Sequence, residues 1–441
     1  MECRRGSTLV VLGVVVGAAC VAAGQAQAGG FALREQSSDG QGSSYAGIAA
    51  GGSLSSMFWN PATMTQIPGI QTEIVATGIL PYAANTPAPT SPLFVFGGTG
   101  NTAENALVPS GYFSWQVNPD LWLGLSVNSP FGLSVSFPEL WAGRDYAANN
   151  SHLRTYNFTP SVAYALNNWI SLGFGVQLQY GDALLNKGIS IGAAPFPDFT
   201  LSGTGWGYGV TAGVTLTPTP ATTIGLGYRS ALNQKISGNQ TVTGVLAGLS
   251  TQGAVNTTLK LPDMVSLGVR QRLDPQWTLL GTFEWTNWSR IGTSNVTQGG
   301  APATVAGIPV TLPFQFKDGW YFALGAEYQW NDRLTLRAGA GYEKSPITDM
   351  VRIPLLPDND RTWLSGGLTY KVTNALSFDF AYSHLFVKNS TIDVSAASGN
   401  PWFDGVPYQG NVKAHIDIVS VALKYRFDEP ALTARTALYT K

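Results

Sequence analysis

Near its C-terminus the chain runs Val421-Ala422-Leu423-Lys424-Tyr425-Arg426-Phe427. Apolar residues at every second position alternate with Ala, Lys and Arg, which defines a β-strand with one apolar face. The same alternation returns along most of the chain. In the segment 320–330 the even positions are Trp320, Phe322, Leu324, Ala326, Tyr328 and Trp330, opposed by Tyr321, Ala323, Gly325, Glu327 and Gln329. Around 169–180, Ile170, Leu172, Phe174, Val176, Leu178 and Tyr180 share a face opposite Ser171, Gly173, Gly175, Gln177 and Gln179. In 333–343, Leu334, Leu336, Ala338, Ala340 and Tyr342 oppose Arg333, Thr335, Arg337 and Glu343. Apolar faces that begin and end on aromatics about ten residues apart fit two interfacial girdles.

One such strand does not decide between a membrane barrel and a soluble sandwich, because a sandwich turns its polar face to solvent. Fourteen strands, several with apolar faces that end on aromatics, favour the barrel, and the connections agree. Short turns at 118–120, 166–168, 217–220, 274–276, 331–332 and 373–374 alternate with long loops near 84–107, 130–152, 186–203, 237–253, 291–315, 348–358 and 394–411. Six turns and seven loops join fourteen strands, with the short connections on one side and the long ones on the other. That asymmetry belongs to bacterial outer-membrane barrels, where closure satisfies every backbone group in lipid. The expected fold is all-β: a 14-stranded antiparallel transmembrane β-barrel, lying in the outer membrane of a Gram-negative bacterium.

Composition excludes other classes. Charged residues make up 12% of the 441, and the formal net charge is −1, so the chain lacks the basic footprint of a nucleic-acid binder. After residue 28 there is no apolar run of the ~18 residues a spanning helix needs. The first 28 residues read as a signal peptide: Arg4 and Arg5, the apolar stretch Leu9 to Val16, then Ala26-Gln27-Ala28. Cys20 raises a lipoprotein alternative, disfavoured by Gly17 where a branched apolar residue is wanted. Both cysteines, Cys3 and Cys20, fall in this leader, so the remainder offers no thiol chemistry. Residues 29–69 are rich in Gly, Ser and Ala with little alternation and do not read as barrel wall. The barrel is assigned to 70–427 and a C-terminal extension to 428–441.

Motifs in a fixed order carry a family resemblance. Gly30-Phe31 is followed by a Ser/Gly-rich stretch and Asn60-Pro61-Ala62. Ser129-Pro130-Phe131-Gly132 follows the third strand, Leu261-Pro262-Asp263-Met264 lies in the eighth, and Trp285-Thr286-Asn287-Trp288-Ser289 in the ninth. Phe316-Lys317-Asp318 opens the tenth; Ser345-Pro346 and Pro357 to Ser365 lead into the twelfth. From about residue 29 to Phe427 the chain resembles the FadL family of outer-membrane long-chain fatty acid transporters, which includes relatives for aromatic hydrocarbons. The tail beyond Phe427 departs from that pattern. The resemblance implies that Gly30, Phe31, Asn60, Pro61 and Ala62 belong to an N-terminal hatch plugging the lumen. It also implies capture of a hydrophobic molecule on apolar external loops, transfer to a lumen pocket, hatch rearrangement, and sideways exit at a kink in the third strand. The implied partners are a long-chain fatty acid or other hydrophobic small molecule and outer-membrane lipid and lipopolysaccharide; the barrel is expected to be a monomer without cofactor or metal.

Candidate site residues follow. The external loops are apolar at Phe131, Leu133, Phe137, Leu140 and Trp141, and again at Phe196 and Phe199. Such clusters mark binding surfaces or pack loop on loop. Lys317 and Arg361 have lumen-face parity at the external end of their strands, placed to grip a carboxylate or to pair with lumen acids such as Glu284, Glu327 or Asp379. Arg229, Arg270 and Arg337 share that parity and are read as structural. Gly124, Asn128 and Pro130 are candidates for the kink, since Gly and Pro weaken ladder pairing, with ordinary barrel curvature the alternative. Two rivals remain. Gly188-Ile189-Ser190-Ile191-Gly192 matches a hydrolase nucleophile pattern but lies in a barrel loop rather than a strand-to-helix elbow. A general porin would leave the 29–69 segment and the apolar loops without a role. The chain is therefore read as no enzyme, with fatty acids the first substrate and aromatic hydrocarbons the second.

Overall fold

The structure is a computed structural model that describes residues 29–189, 197–243, 252–305 and 307–428. The leader at 1–28, Phe196, most of the Gly188–Gly192 motif and the tail from 429 lie outside the described residues. Fourteen antiparallel strands close into a barrel. They are β1 Ile70–Pro87, β2 Ala106–Asn118, β3 in two halves Leu121–Asn128 and Gly132–Phe137, β4 Asn149–Ala165, β5 Ile170–Gly188 and β6 Asp198–Thr219. β7 is Thr222–Arg229 with Leu232–Val242, β8 is Gly253–Leu261 with Met264–Arg272, and β9 is Trp277–Thr286. β10 Gly319–Gln329, β11 Leu334–Lys344, β12 Arg361–Lys371, β13 Leu376–Val387 with Ser390–Val394, and β14 Tyr408–Arg426 complete the wall. β14 pairs with β1 from Gln71↔Arg426 to Pro87↔Gly410, which leaves no free edge.

The short turns share one chemistry. Asn118, Asn167, Asp274 and Asn331 each accept two backbone N–H groups, from the residues two and three positions on, and so replace ladder bonds that end there. The strands reach further at the opposite end than alternation alone indicated. The loops expected at 186–203 and 237–253 shorten, because β5 continues to Gly188, β6 starts at Asp198 and β7 continues to Val242. Phe199 and Leu201, read as loop residues, lie in β6 with their side chains buried. The faces sort as the alternation requires: Phe322 and Leu324 are exposed outward, while Tyr321 and Ala323 are buried inward.

Residues 29–69 lie inside the barrel. A one-turn helix, α1 Ser38–Gly42, touches β11 to β14; 3-10 turns at Ile48–Ala50 and Pro61–Gln66 touch the wall from β3 to β8, and one at Leu54–Phe58 touches β1 and β2. The wall makes room with glycine. A Cβ on Gly225 would stand 1.8 Å from the Ala49 carbonyl oxygen, and one on Gly213 1.9 Å from Asn60 Oδ1. Asn60 caps the third 3-10 turn by accepting from the Ala62 N–H, and its amide donates to the carbonyls of Ala49 and Val214. Ions fasten the other side: Lys424 on β14 reaches Asp379 at 2.6 Å and Asp39 of α1 at 3.6 Å. Two apolar cores result, one in the lumen around Tyr45, Trp59 and Trp363, the other at the loop end around Phe31, Trp141 and Trp288.

Candidate functional site

The third strand breaks between Asn128 and Gly132. Below the break β3 pairs with β2 up to Gly111↔Val127; above it the pairing returns at Ala103↔Val135. The missing rungs are filled from inside by the N-terminal segment. The Leu33 N–H donates to the Pro130 carbonyl and the Gly132 N–H to that of Phe31, both at 2.8 Å. Gln36 spans the remaining gap: its amide donates to the Ser129 carbonyl at 2.8 Å, and its Oε1 accepts from Ser110 Oγ at 2.8 Å. Pro130 cannot donate to a ladder, so the break sits where the sequence removes a donor. Gly124 plays a different part from the one expected. It is paired on both sides, to Ser114 and Ser161, and a Cβ there would stand 2.3 Å from Met64 Sδ. It is clearance for the segment, not the kink.

Two cavities lie on either side of Phe31. The outer one lies between the upper halves of β4 to β8 and the long loops, and is walled by Leu153, Leu201, Ile236, Leu259, Phe314 and Leu355. The inner one lies against the N-terminal segment and is bounded by Arg34, Trp59, Phe131, Arg229, Glu284 and Glu343. The Phe31 ring packs edge-on against Trp288 at 4.7 Å and contacts Phe131 at 6.2 Å and Phe314 at 6.1 Å. Trp288 and Phe131 line the inner cavity and Phe314 the outer one, so Phe31 is the partition between them. Its burial is worth roughly 2–3 kcal/mol.

Charge separates the two chambers further. Arg34 donates to Glu284 at 2.8 Å and lies 4.0 Å from Glu343. Arg361 pairs with Asp358 and lies 3.8 Å from Glu343. Arg270 and Arg337 share Glu327. Arg229 differs: its guanidinium donates to the Phe58 carbonyl and to Gln177, lies 4.1 Å over the Phe58 ring, and pairs with no carboxylate among the described residues. It is 6% exposed. A buried cation with neutral partners is costly to hold and gains from an arriving anion. In the N-terminal segment, next to Arg34, burial pushes the Glu35 carboxyl up to about 7, and its Oε2 has no hydrogen-bond partner.

The residues singled out in the sequence divide. Phe131 borders the inner cavity and Leu133 the outer. Phe137 and Trp141 are buried and stacked at 5.3 Å, with Trp141 donating to the Ala147 carbonyl; they pack the loop end and line neither cavity, as does Phe199. Leu140 is exposed. Lys317 is corrected: it is exposed and borders neither cavity. Its parity was extrapolated past Gly319, where β10 begins, and a loop residue has no ladder to fix its face. Arg361 does face inward but is neutralised at Asp358, whose Oδ2 also accepts the Gly30 N–H. Arg229, read as structural, lines the inner cavity; parity gave its face, and no sequence signal gave its lack of a counter-ion.

A closed β-barrel with an apolar outer band and an occupied lumen is an outer-membrane barrel. The chain belongs to the outer membrane protein transport protein family (OMPP1/FadL/TodX), whose model matches residues 19–427. It is 27% identical over 439 residues to the long-chain fatty acid transport protein of Escherichia coli K12, covering 87% of this chain and 94% of the relative. It shares the fold of a Pseudomonas aeruginosa FadL homologue, with a TM-score of 0.80 at 23% identity over 90% of this chain and all of the other. The Pseudomonas putida toluene transporter TodX superimposes with a TM-score of 0.67 at 16% identity, covering 91% of this chain and 100% of that one. The protein is therefore an outer-membrane barrel of a Gram-negative bacterium, in a family of transporters and channels rather than enzymes.

Proposed function

We propose that this barrel takes up long-chain fatty acids. The observation that carries the reading is Arg229, a buried cation without a carboxylate partner on the wall of the inner cavity. A fatty carboxylate would replace its neutral partners with a charge-assisted pair, worth about 1.5–3 kcal/mol. The relatives support the substrate class, since several bear the name long-chain fatty acid transport protein. The leader at 1–28 exports the chain, and the apolar outer cavity takes the acyl chain first by the hydrophobic effect. Displacement of Phe31 then joins the chambers. Residues 29–69 act as the hatch: movement of Phe31 to Gln36 frees the β2–β3 gap, and the ligand leaves sideways at Asn128–Pro130 into lipid.

The outer cavity favours a second reading, because apolar side chains dominate its wall and it would accept a neutral aromatic hydrocarbon equally well. Uptake of labelled oleate and labelled toluene, by cells lacking their own transporter and expressing this chain, separates the two. Oleate entry well above that of empty cells is expected. Toluene entry without oleate entry moves the substrate to neutral hydrocarbons.

A further inference from the structure

We propose that removal of the leader builds an ion pair in the lumen: the α-ammonium freed at Gly29 docks on the Glu343 carboxylate of β11 and locks the N-terminal segment in place. The inference rests on cleavage after Ala28. Hydrolysis of the Ala28–Gly29 amide by a leader peptidase adds the hydroxyl of water to the Ala28 carbonyl carbon and its proton to the Gly29 nitrogen. At neutral pH that amine takes a further proton from solvent. A neutral single donor thereby becomes a cation with three. Gly29 is buried and lines the inner cavity, two residues before the Phe31 partition. The backbone around it is already held: its carbonyl accepts from the Ala32 N–H at 3.3 Å, and the Gly30 N–H donates to Asp358 at 3.0 Å. A Cβ on Gly29 would collide with Glu343 Oε1. Since a Cβ lies ~2.5 Å from its own backbone nitrogen, the Gly29 nitrogen stands within ~5 Å of that oxygen.

Charge says why Glu343 is the docking point. Around Gly29 two guanidiniums, Arg34 and Arg361, face three carboxylates, Glu284, Glu343 and Asp358. Glu284 is served by Arg34 at 2.8 Å and by Ser266 Oγ at 2.6 Å. Asp358 takes Arg361 on one oxygen, and the Gly30 N–H and Ser345 Oγ on the other. Glu343 is the least served. Its Oε2 accepts from Trp363 Nε1 at 3.1 Å and lies 3.8 Å from Arg361 Nε. Its Oε1 has Arg34 at 4.0 Å and no hydrogen bond among the described residues. The other ionisable neighbours supply no further cation to it. Glu35 is largely uncharged below about 7, Tyr321 lies under the Arg34 guanidinium, and Arg229 is held by Gln177 and the Phe58 carbonyl. A buried carboxylate short of a counter-ion is costly, and one ammonium at Oε1 evens the charges. That ammonium belongs to the backbone, so pairing it holds residues 29–31 without ordering a long side chain. The precursor lacks this bond, so the plug tightens only once the leader has gone.

The test starts with N-terminal sequencing of the chain purified from outer membranes, which should return Gly29. Reductive methylation with carbon-13 formaldehyde then places an NMR label on the amine and keeps its charge. The label should titrate roughly one pH unit or more higher in the parent than in Glu343→Gln. A second variant, refolded in detergent with one alanine added ahead of Gly29, moves the amine away from Glu343 and should titrate like the glutamine variant. Amide hydrogen exchange at residues 31–36 should quicken roughly tenfold in both variants. Heat-dependent gel mobility confirms that each is a folded barrel. A first residue other than Gly29 overturns the leader reading together with this inference. Gly29 in first place with an amine that titrates alike in all three chains, or unchanged exchange, overturns this inference alone.

Discussion

The outer and inner chambers differ in the polar groups that their walls carry. The outer one is bounded by strand extensions and loops that contribute mainly aliphatic and aromatic side chains. The inner one is bounded on one side by the N-terminal segment and carries two carboxylates and an uncompensated guanidinium. The difference separates two tasks. An apolar chamber open to the loops captures by area and discriminates little, because one methylene more or less changes its free energy by only ~0.8 kcal/mol. A chamber with a desolvated cation discriminates by headgroup. Phe31 keeps the tasks apart in space.

The largest change expected comes from destroying the inner chamber's second wall. Gly225→Val would drive a side chain into Ala49, unseat the segment and leave an open pore. Planar-bilayer recordings should then show large ohmic steps where the parent is silent; a silent variant would mean that the lumen stays filled without that contact. Next is the effect of pH on the same wall. Glu35 has a folded value of about 7, raised above the ordinary 4.5 chiefly by burial. The folded chain therefore holds this proton more tightly than the unfolded chain, and its contribution is present below about 4.5 and lost as pH rises through 7. Seating should weaken by up to about 3 kcal/mol across that window. Hydrogen exchange at residues 29–40 should show it in the parent and not in Glu35→Gln; identical profiles would contradict the assignment.

A smaller effect should separate the chambers by substrate. Leu259→Ser in the outer cavity removes apolar wall common to every ligand. It should lower capture of oleate and of a neutral probe alike, each by severalfold, about 1 kcal/mol. A loss confined to the fatty acid would place headgroup recognition in the outer chamber and erase the distinction.

Much of the architecture was legible because the barrel wall obeys a period of two and four of its six short turns carry Asn or Asp at the same place. Trp320–Trp330 shows its faces in sequence, and Asn331 announces the turn. The limits of the pattern are equally physical. Parity says nothing once the ladder stops, which is why Lys317 was misplaced two residues before β10. Gly124 was read through its effect on its own strand, whereas its role depends on Met64, sixty residues earlier. Four arginines, Arg229, Arg270, Arg337 and Arg361, share one face in sequence. Three find carboxylates only in the folded barrel, at Glu327 and Asp358, and that pairing singles out the fourth.

The most direct test of headgroup recognition compares oleate with oleyl alcohol, the same chain without the charge, by equilibrium binding to the purified parent and to Arg229→Gln. The parent should prefer oleate by roughly tenfold to a hundredfold, and the variant should bind both with the affinity the parent has for the alcohol. A variant that keeps the full preference for oleate would contradict the account and return the inner cavity to a structural role.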